Sequence, residues 1–196
     1  MLSSVRRPWH LSLSRPGRNP PTEVTKVSLT LYLLRHAKSD WSDPALPDAM
    51  RPLSKRGRRD TQLLASFLKS APIRPGLILC STARRTRQTL EPLIGPLGNP
   101  KVELEEDLYA APAEALLDRL HAVPPKVTSV MLIGHNPGLQ ELALQLTRPG
   151  PKRAALEAKF PTGALATINP TAASWGKLAP HSARLSRYIT PRHLAD

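Results

Sequence analysis

An arginine and a histidine follow directly on an apolar run near the start of the chain. In LYLLRHAKS, residues 31–39, the apolar part ends at Leu34 and continues with Arg35 and His36. This pattern is typical of a buried strand that opens into a loop. A guanidinium beside an imidazole suits an anion, above all phosphate, because the planar fork of arginine matches two phosphate oxygens. Taken alone, the pair fits equally well a histidine that only caps the strand end.

Two further apolar runs end in residues of the same kind. The run 77–80 precedes STARRTRQT, which carries Arg85, and the run 127–133 precedes GHNPGL, which carries His135. Parallel strands that are joined by right-handed crossovers place their carboxyl ends at one edge of the sheet. We therefore expect Arg85 and His135 to meet Arg35 and His36 in one pocket. The alternatives are a His135 that only satisfies the backbone of its turn, and a solvated helix face for Arg84 and Arg87, which leaves Arg85 on a different face that can turn inward.

Two imidazoles and two guanidiniums are the set that phosphoryl transfer through a histidine requires. A neutral imidazole attacks phosphorus in line, while arginines and the second imidazole stabilise the equatorial oxygens. The attacking histidine must be unprotonated at one nitrogen, so its other nitrogen is expected to donate to a backbone carbonyl. The six histidines show no paired metal-ligand spacing, and the chemistry needs no metal or cofactor. We expect neither in this protein.

The elements that must position these side chains alternate along the chain. Strand-like runs alternate with segments of helical periodicity, which predicts an α/β three-layer sandwich with a mostly parallel central sheet flanked by helices. Helices are expected after the caps Ser54 and Ser81 or Thr82, and from Pro112 and Pro137, where proline suits a first turn. The predicted strands are residues 27–34, 77–80, 102–104, 127–133, 163–168 and 185–189.

Length and composition indicate the domain organisation and the cellular compartment of the protein. The 196 residues predict a single domain over 27–196, preceded by a basic, proline-rich extension over 1–26 that we expect to be disordered. The single cysteine, Cys80, cannot form a disulfide within the chain, which favours the reducing cytoplasm. The composition of residues 1–26 leaves organellar import open. No apolar stretch reaches the roughly 18 residues of a membrane span.

The net charge of +13 first suggests nucleic acid. The cations are spread over the whole chain, however, and no aromatic cluster, zinc-finger spacing or heptad-linked basic region accompanies them. Nucleic acid is therefore not an expected partner, and the charge is interpreted as attraction of anionic substrates.

The motifs RHAKS, LSKRG, STARRTRQT and GHNPGL, in that order, resemble the histidine phosphatase superfamily, which has the phosphoglycerate mutase-like fold. The segments DAMRPLSKRG and KFPTGAL make the chain most similar to the SixA-type phosphohistidine phosphatases. The resemblance implies that His36 is the nucleophile that becomes phosphorylated, and that Arg35, Arg85 and His135 complete the phosphate pocket. It also implies that Arg51 helps to hold the substrate, whereas Ser39 is either a phosphate contact or an ordinary loop hydroxyl.

The chain departs from the superfamily pattern in its general acid. Many members carry an acidic donor on an inserted helical segment before the second histidine, but residues 86–134 leave room for no lid-sized insertion. Glu106 and Asp107 lie near the matching region as possible proton donors, without motif support. Smaller departures are Ala37 in place of glycine and Thr82 in place of proline. Chemistry with a good leaving group is therefore favoured over hydrolysis of an alkyl phosphate.

The leading hypothesis is a metal-independent phosphatase that hydrolyses phosphohistidine in proteins, or small phosphoesters, through a phosphohistidine intermediate. Its partner is then a phosphorylated protein or a small phosphorylated molecule; the oligomeric state is not predicted. One alternative is a broad-specificity small-molecule phosphatase. Another is a phosphate-recognition module without turnover. A mutase is disfavoured because the chain lacks the length for the helices that would cover its ligand.

Overall fold

In the computed structural model, residues 28–195 are described, and their strands form one mixed sheet in the order β3-β2-β4-β1-β5-β6. Strands β3, β2, β4 and β1 are parallel, whereas β5 and β6 run antiparallel. The predicted mostly parallel sheet is therefore confirmed. The strands are β1 Thr30–Arg35, β2 Leu77–Ser81, β3 Lys101–Glu105, β4 Ser129–Gly134, β5 Leu165–Pro170 and β6 Ala183–Ile189.

Helices cover both faces of this sheet, so the predicted three-layer sandwich is confirmed as well. Helices α1 and α2 pack on the face formed by alternate side chains such as Tyr32 and Leu34, and α3, α4 and α5 pack on the face of Leu31 and Leu33. The alternation follows from the two-residue period of a strand. The helices are α1 Lys55–Ser70, α2 Arg84–Leu90, α3 Ala113–His121, α4 Gly138–Leu146 and α5 Pro151–Ala158.

Two details differ from the expectations. Helix α2 begins after Ala83, and not after Ser81 or Thr82, because β2 continues through Ser81. Helix α5 was not predicted, since it spans only eight residues and buries only Leu156. The expectations for residues 1–26 and Val27 lie outside the described residues. Within residues 28–195, no helix is long and apolar enough to span a membrane.

The sheet order brings the important strand ends together. Strands β2, β4 and β1 are neighbours, and Cys80 pairs with Ile133 as Arg35 pairs with Gly134. The residues that follow these strands therefore emerge side by side at one edge of the sheet.

Candidate active site

His36 is the first residue after β1, and it is 7% exposed. Its ring nitrogen Nδ1 lies 2.8 Å from the carbonyl oxygen of Ala37. A carbonyl only accepts, so Nδ1 carries the proton and Nε2 keeps a free lone pair. This hydrogen bond supplies the backbone carbonyl acceptor that a histidine nucleophile needs. The amide of His36 also donates to the carbonyl of Gly134, which ties the two strand ends together.

His135 follows β4 and faces His36, with 5.1 Å between the two ring centroids. Its Nδ1 lies 3.3 Å from Nη2 of Arg85, and its Nε2 lies 2.9 Å from Oγ of Ser81. A guanidinium only donates, so Nδ1 is the acceptor and the protonated Nε2 donates to the serine hydroxyl. Arg85 therefore sets the tautomer of His135, and Ser81, at the end of β2, helps to hold it by accepting from Nε2.

Both histidines are neutral at neutral pH. Burial lowers the pKa of His36 to about 4; the Ala37 hydrogen bond opposes this shift, and the nearby Arg85 and Arg35 guanidiniums add to it. Burial, followed by His36 and Arg85, lowers the pKa of His135 to about 3. A neutral imidazole with a free lone pair is the form that attacks an electrophile.

The two predicted arginines approach this pair from different elements. Arg85 points inward from the first turn of α2, whereas Arg84 and Arg87 on the same helix are exposed. Arg35 ends β1 and donates from Nη1 to the carbonyl of Phe160 at 2.7 Å. Among residues 28–195, its buried Nε has no hydrogen-bond partner. That donor remains available for an anion.

The loop after His36 is held by the other motifs. The amide of Ala37 donates to Oγ1 of Thr89 in α2 at 3.0 Å, and the carbonyl of Lys38 accepts from the amide of Ser54 at 2.9 Å. Ser54 caps α1 by accepting from the amide of Gly57. A Cβ on Gly57 would lie 2.1 Å from the Lys38 carbonyl oxygen, so only glycine permits this approach. The RHAKS, LSKRG and STARRTRQT motifs thus form one packed unit.

The Phe160 carbonyl belongs to the KFPTGAL segment and also accepts from Nδ2 of Asn136 at 3.2 Å. The amide of Gly163, with φ of +76°, lies 3.0 Å from the carbonyl of His36. Only glycine adopts such a φ without strain. This segment therefore supports Arg35 and the backbone of the candidate nucleophile.

One carboxylate in the pocket was not among the predicted site residues. Asp48, in a 3-10 turn over Asp48–Met50, accepts from Nη2 of Arg85 at 2.8 Å and from the hydroxyl of Tyr109 at 2.6 Å. Its backbone carbonyl accepts from Nη1 of Arg85 at 2.6 Å. The ring of Tyr109 stands edge-on to His135, 5.3 Å between centroids. The only sequence signal was the place of Asp48 in DAMRPLSKRG.

Ser39 and Arg51 are buried, and both contact Trp41. Oγ of Ser39 accepts from Nε1 of Trp41 at 3.0 Å, and the Arg51 guanidinium stacks on the Trp41 ring at 4.2 Å. Nε of Arg51 lies 3.7 Å from Oδ1 of Asp48. Arg51 is therefore linked to the pocket through Asp48, and Ser39 through the stacked tryptophan.

Glu106 and Asp107 occupy a 3-10 turn over Glu106–Leu108, directly before Tyr109. Both residues are exposed, and neither carboxylate has a hydrogen bond or ion pair with any residue of the described part. Their role as proton donor stays a prediction. The carboxylate in contact with Arg85 belongs to Asp48.

In residues 28–195, no group of three or more His, Cys, Asp or Glu side chains is arranged to hold a metal ion. The pocket combines a buried acceptor nitrogen with guanidinium donors. It is thus equipped to bind a phosphoryl group and to accept it on nitrogen.

Comparisons with known proteins agree with this geometry. Residues 31–110 match the family model of the histidine phosphatase superfamily (branch 1). An uncharacterised Arabidopsis thaliana protein, named as chloroplastic, is 36% identical over 133 residues, which cover 63% of this chain and 61% of that protein.

Two solved structures, provisionally named phosphohistidine phosphatase SixA, have a similar fold. The protein from Nakamurella multipartitia is 28% identical with a TM-score of 0.74, and the alignment covers 84% of this chain and 96% of that one. The protein from Agrobacterium tumefaciens is 31% identical with a TM-score of 0.70, over 83% and 99% of the two chains. Motifs, fold and pocket agree: the chain belongs to the histidine phosphatase superfamily and is SixA-like.

Proposed function

We propose that this protein is a metal-independent phosphatase that hydrolyses phosphohistidine in proteins through a phosphorylated His36, with residues 27–196 acting as one catalytic domain. The observation that carries the proposal is the fixed tautomer of His36. Its Nδ1 donates to Ala37, which leaves the lone pair of Nε2 in a pocket that holds Arg85 and His135.

In the first step, Nε2 of His36 attacks phosphorus, and the bond from phosphorus to the leaving nitrogen breaks. Arg35 and Arg85 donate hydrogen bonds to the equatorial oxygens, where charge accumulates. The electron pair of the broken bond stays on the leaving imidazole, which departs neutral when its second nitrogen is protonated. Water then hydrolyses the phosphorylated enzyme and releases inorganic phosphate.

Three features support a phosphohistidine substrate. Between Arg85 and His135 the chain forms only α2, β3, α3, β4 and their connections, so no inserted segment covers the pocket. The leaving imidazole also needs little help from a general acid, in contrast to an alkoxide. Both SixA structures carry the name of a phosphohistidine phosphatase.

The loop that carries Asp48 and Arg51 supports a protein substrate. Trp41 and Met50 lie on this loop and are 61% and 49% exposed. Only Leu104 is a further large hydrophobic residue with such exposure among residues 28–195. Two of these three exposed side chains therefore lie on the loop of the site, where they can contact another protein.

The test compares phosphohistidine protein with aryl phosphate and a panel of metabolite phosphates at one enzyme concentration. We expect the highest kcat/KM on the phosphohistidine protein, no effect of a chelator, and loss of all turnovers in His36→Ala. The matched control is His121→Ala, which removes a half-exposed histidine of α3 that contacts the carbonyl of Leu178. Turnover by His36→Ala would refute the proposal.

Two other outcomes would identify the alternative functions. Higher kcat/KM on a metabolite phosphate would indicate a small-molecule phosphatase. Binding of phosphoprotein without turnover, and without acid-labile phosphate on His36, would indicate a recognition module.

For the cellular setting we propose a reducing compartment, because the single cysteine, Cys80, is fully buried and free. The cytoplasm is the first candidate, and the chloroplastic name of the Arabidopsis relative makes an organelle the second. A fluorescent protein fused behind residues 1–26 would separate the two: diffuse signal indicates the cytoplasm, and organellar signal indicates import.

A further inference from the structure

The carboxylate of Asp48 faces both the pocket and solvent. Oδ2 accepts from Arg85 and from the hydroxyl of Tyr109, while the side chain remains 45% exposed. Arg85 in turn lies against His135, whose ring faces His36. The carboxylate therefore lies at the solvent-exposed side of the pocket, close enough to both histidines for its charge to raise their pKa values.

The charge state of Asp48 decides which proton transfer it can serve. The Tyr109 hydrogen bond, with Arg85 adding to it, holds the pKa of Asp48 below its ordinary value. The side chain is therefore a carboxylate at neutral pH and has no proton to donate to a leaving group. It is suited to accept one.

We propose that Asp48 is the general base that takes a proton from the water that hydrolyses phosphorylated His36. The inference rests on the proposed function, because it needs the phosphorylated enzyme as its reactant. It assigns a catalytic residue outside the four motif positions.

The step balances as follows in atoms and electrons. The water oxygen forms a bond to phosphorus, the bond from phosphorus to Nε2 of His36 breaks, and its electron pair returns to Nε2. One water proton moves to the Asp48 carboxylate, and the other leaves with inorganic phosphate. Nδ1 of His36 keeps its proton throughout and donates a hydrogen bond to the Ala37 carbonyl. Asp48 then releases its proton to solvent, to which it is exposed.

The contact with Arg85 determines at which stage Asp48 is basic enough to accept the proton. A phosphoryl group on His36 offers oxygens that compete with the Asp48 carboxylate for the guanidinium donors of Arg85. When Arg85 turns to those oxygens, Asp48 loses a cationic partner and becomes more basic, while Tyr109 still holds it. The carboxylate is thus released for proton transfer at the stage that needs it.

The test is the isosteric variant Asp48→Asn, followed by rapid quench with an aryl phosphate labelled on phosphorus. We expect formation of phosphorylated His36 to change by less than about threefold and its hydrolysis to slow by about 10²-fold, the lower range for a lost general base. Labelled enzyme then accumulates, and aryl alcohol appears in a burst. Asp118→Asn, which removes an exposed carboxylate of α3, is the matched control and is expected to behave as the native protein.

Two further measurements exclude a purely structural role. Tyr109→Phe keeps the carboxylate but removes the hydroxyl that holds it, so we expect slower hydrolysis of the intermediate with the same accumulation. The hydrolysis rate of the native protein should fall in acid as Asp48 becomes protonated, and Asp48→Asn should lose this dependence.

The outcomes separate this proposal from the proposed function. Native protein that forms no phosphorylated His36 would refute both. Native protein that forms it, with an Asp48→Asn variant that is slow in formation and accumulates nothing, would refute the general base alone and leave Asp48 as a residue that positions Arg85.

Discussion

At the scale of single residues, we expect the protonation state of His36 to determine the acid limit of activity. Burial lowers its pKa to about 4 from an ordinary value of 6.5, so the imidazole stays neutral, and hence nucleophilic, until the pH approaches 4. We expect kcat/KM on an aryl phosphate, corrected for ionisation of the substrate, to fall near pH 4. The decrease of kcat/KM in acid reports the pKa of a group in the free enzyme. An acid limb near pH 6.5, or an NMR titration of the ring protons near that value, would contradict the assignment.

The hydroxyl of Ser81 is expected to help hold the tautomer and ring orientation of His135. Ser81→Ala removes the acceptor of Nε2–H in a fully buried position. A net hydrogen bond is worth about 0.5–1.5 kcal/mol, so we expect kcat/KM to fall about two- to tenfold. The measurement is steady-state kinetics beside thermal unfolding.

The matched control is Ser129→Ala, at the amino end of β4. Its hydroxyl accepts from the amide of Gly76 and donates to the carbonyl of Arg74, far along the strand from the pocket. We expect lower stability with unchanged kcat/KM. Equal kinetic losses in both serine variants would show that stability, and not the tautomer, limits the rate.

At the scale of elements, apolar runs predicted the strands that carry the site. The runs before Arg35 and His135 are buried on both faces, so their sequence signal is continuous and strong. Sheet order then follows from the rule that parallel strands deliver their ends to one edge. Asp48 is not predicted as a site residue because its turn is short and because its contacts with Arg85 and Tyr109 span 37 and 61 residues of sequence. No local pattern encodes such contacts.

The close approach of α1 to the loop after His36 predicts a sharp effect at Gly57. In Gly57→Ala the new methyl group would lie 2.1 Å from the Lys38 carbonyl oxygen, so the helix or the loop must shift. We expect a loss of about 1–3 kcal/mol in the free energy of unfolding, together with a lower kcat, because the shifted loop carries the Nδ1 acceptor of His36. Denaturant unfolding and kinetics measure the two effects.

Gly95→Ala is the control for this substitution. A Cβ at Gly95 meets no atom within 4 Å, and its φ lies outside the left-handed region. Its stability and kcat should stay close to those of the native protein. A Gly57→Ala variant as stable and active as Gly95→Ala would contradict the packing of α1 against the candidate catalytic loop.

At the scale of the whole molecule, the net charge of +13 and the pocket act in the same direction. Arg84 and Arg87 are exposed on the helix that carries Arg85, so this helix has cations on its surface as well as in the pocket. A positive field raises the local concentration of anionic substrates. We therefore interpret the net charge as attraction of phosphorylated substrates, and the absence of a nucleic-acid partner stays a prediction.

The alkylation rate of Cys80 measures whether the whole fold opens as one cooperative unit. It lies in β2 between β3 and β4, is fully buried, and burial raises the pKa of its thiol to about 12. Alkylation needs an accessible thiolate, so the native protein should resist iodoacetamide. Because the central sheet opens only when the whole domain unfolds, we expect the labelling rate to rise with urea in parallel with the loss of circular dichroism.

The fully unfolded protein supplies the reference rate for this experiment, and the single cysteine makes the label unambiguous. Activity should be lost in proportion to label, because an alkylated Cys80, next to Ser81 in the chain, has no space in the core between the sheet and helices α1 and α2. Labelling in low urea, with the circular dichroism still native, would show that β2 opens on its own. Strand β2, which helps to hold the tautomer of His135 through Ser81, would then be less stable than the rest of the fold. That result would contradict the view that a rigid central sheet supports the site.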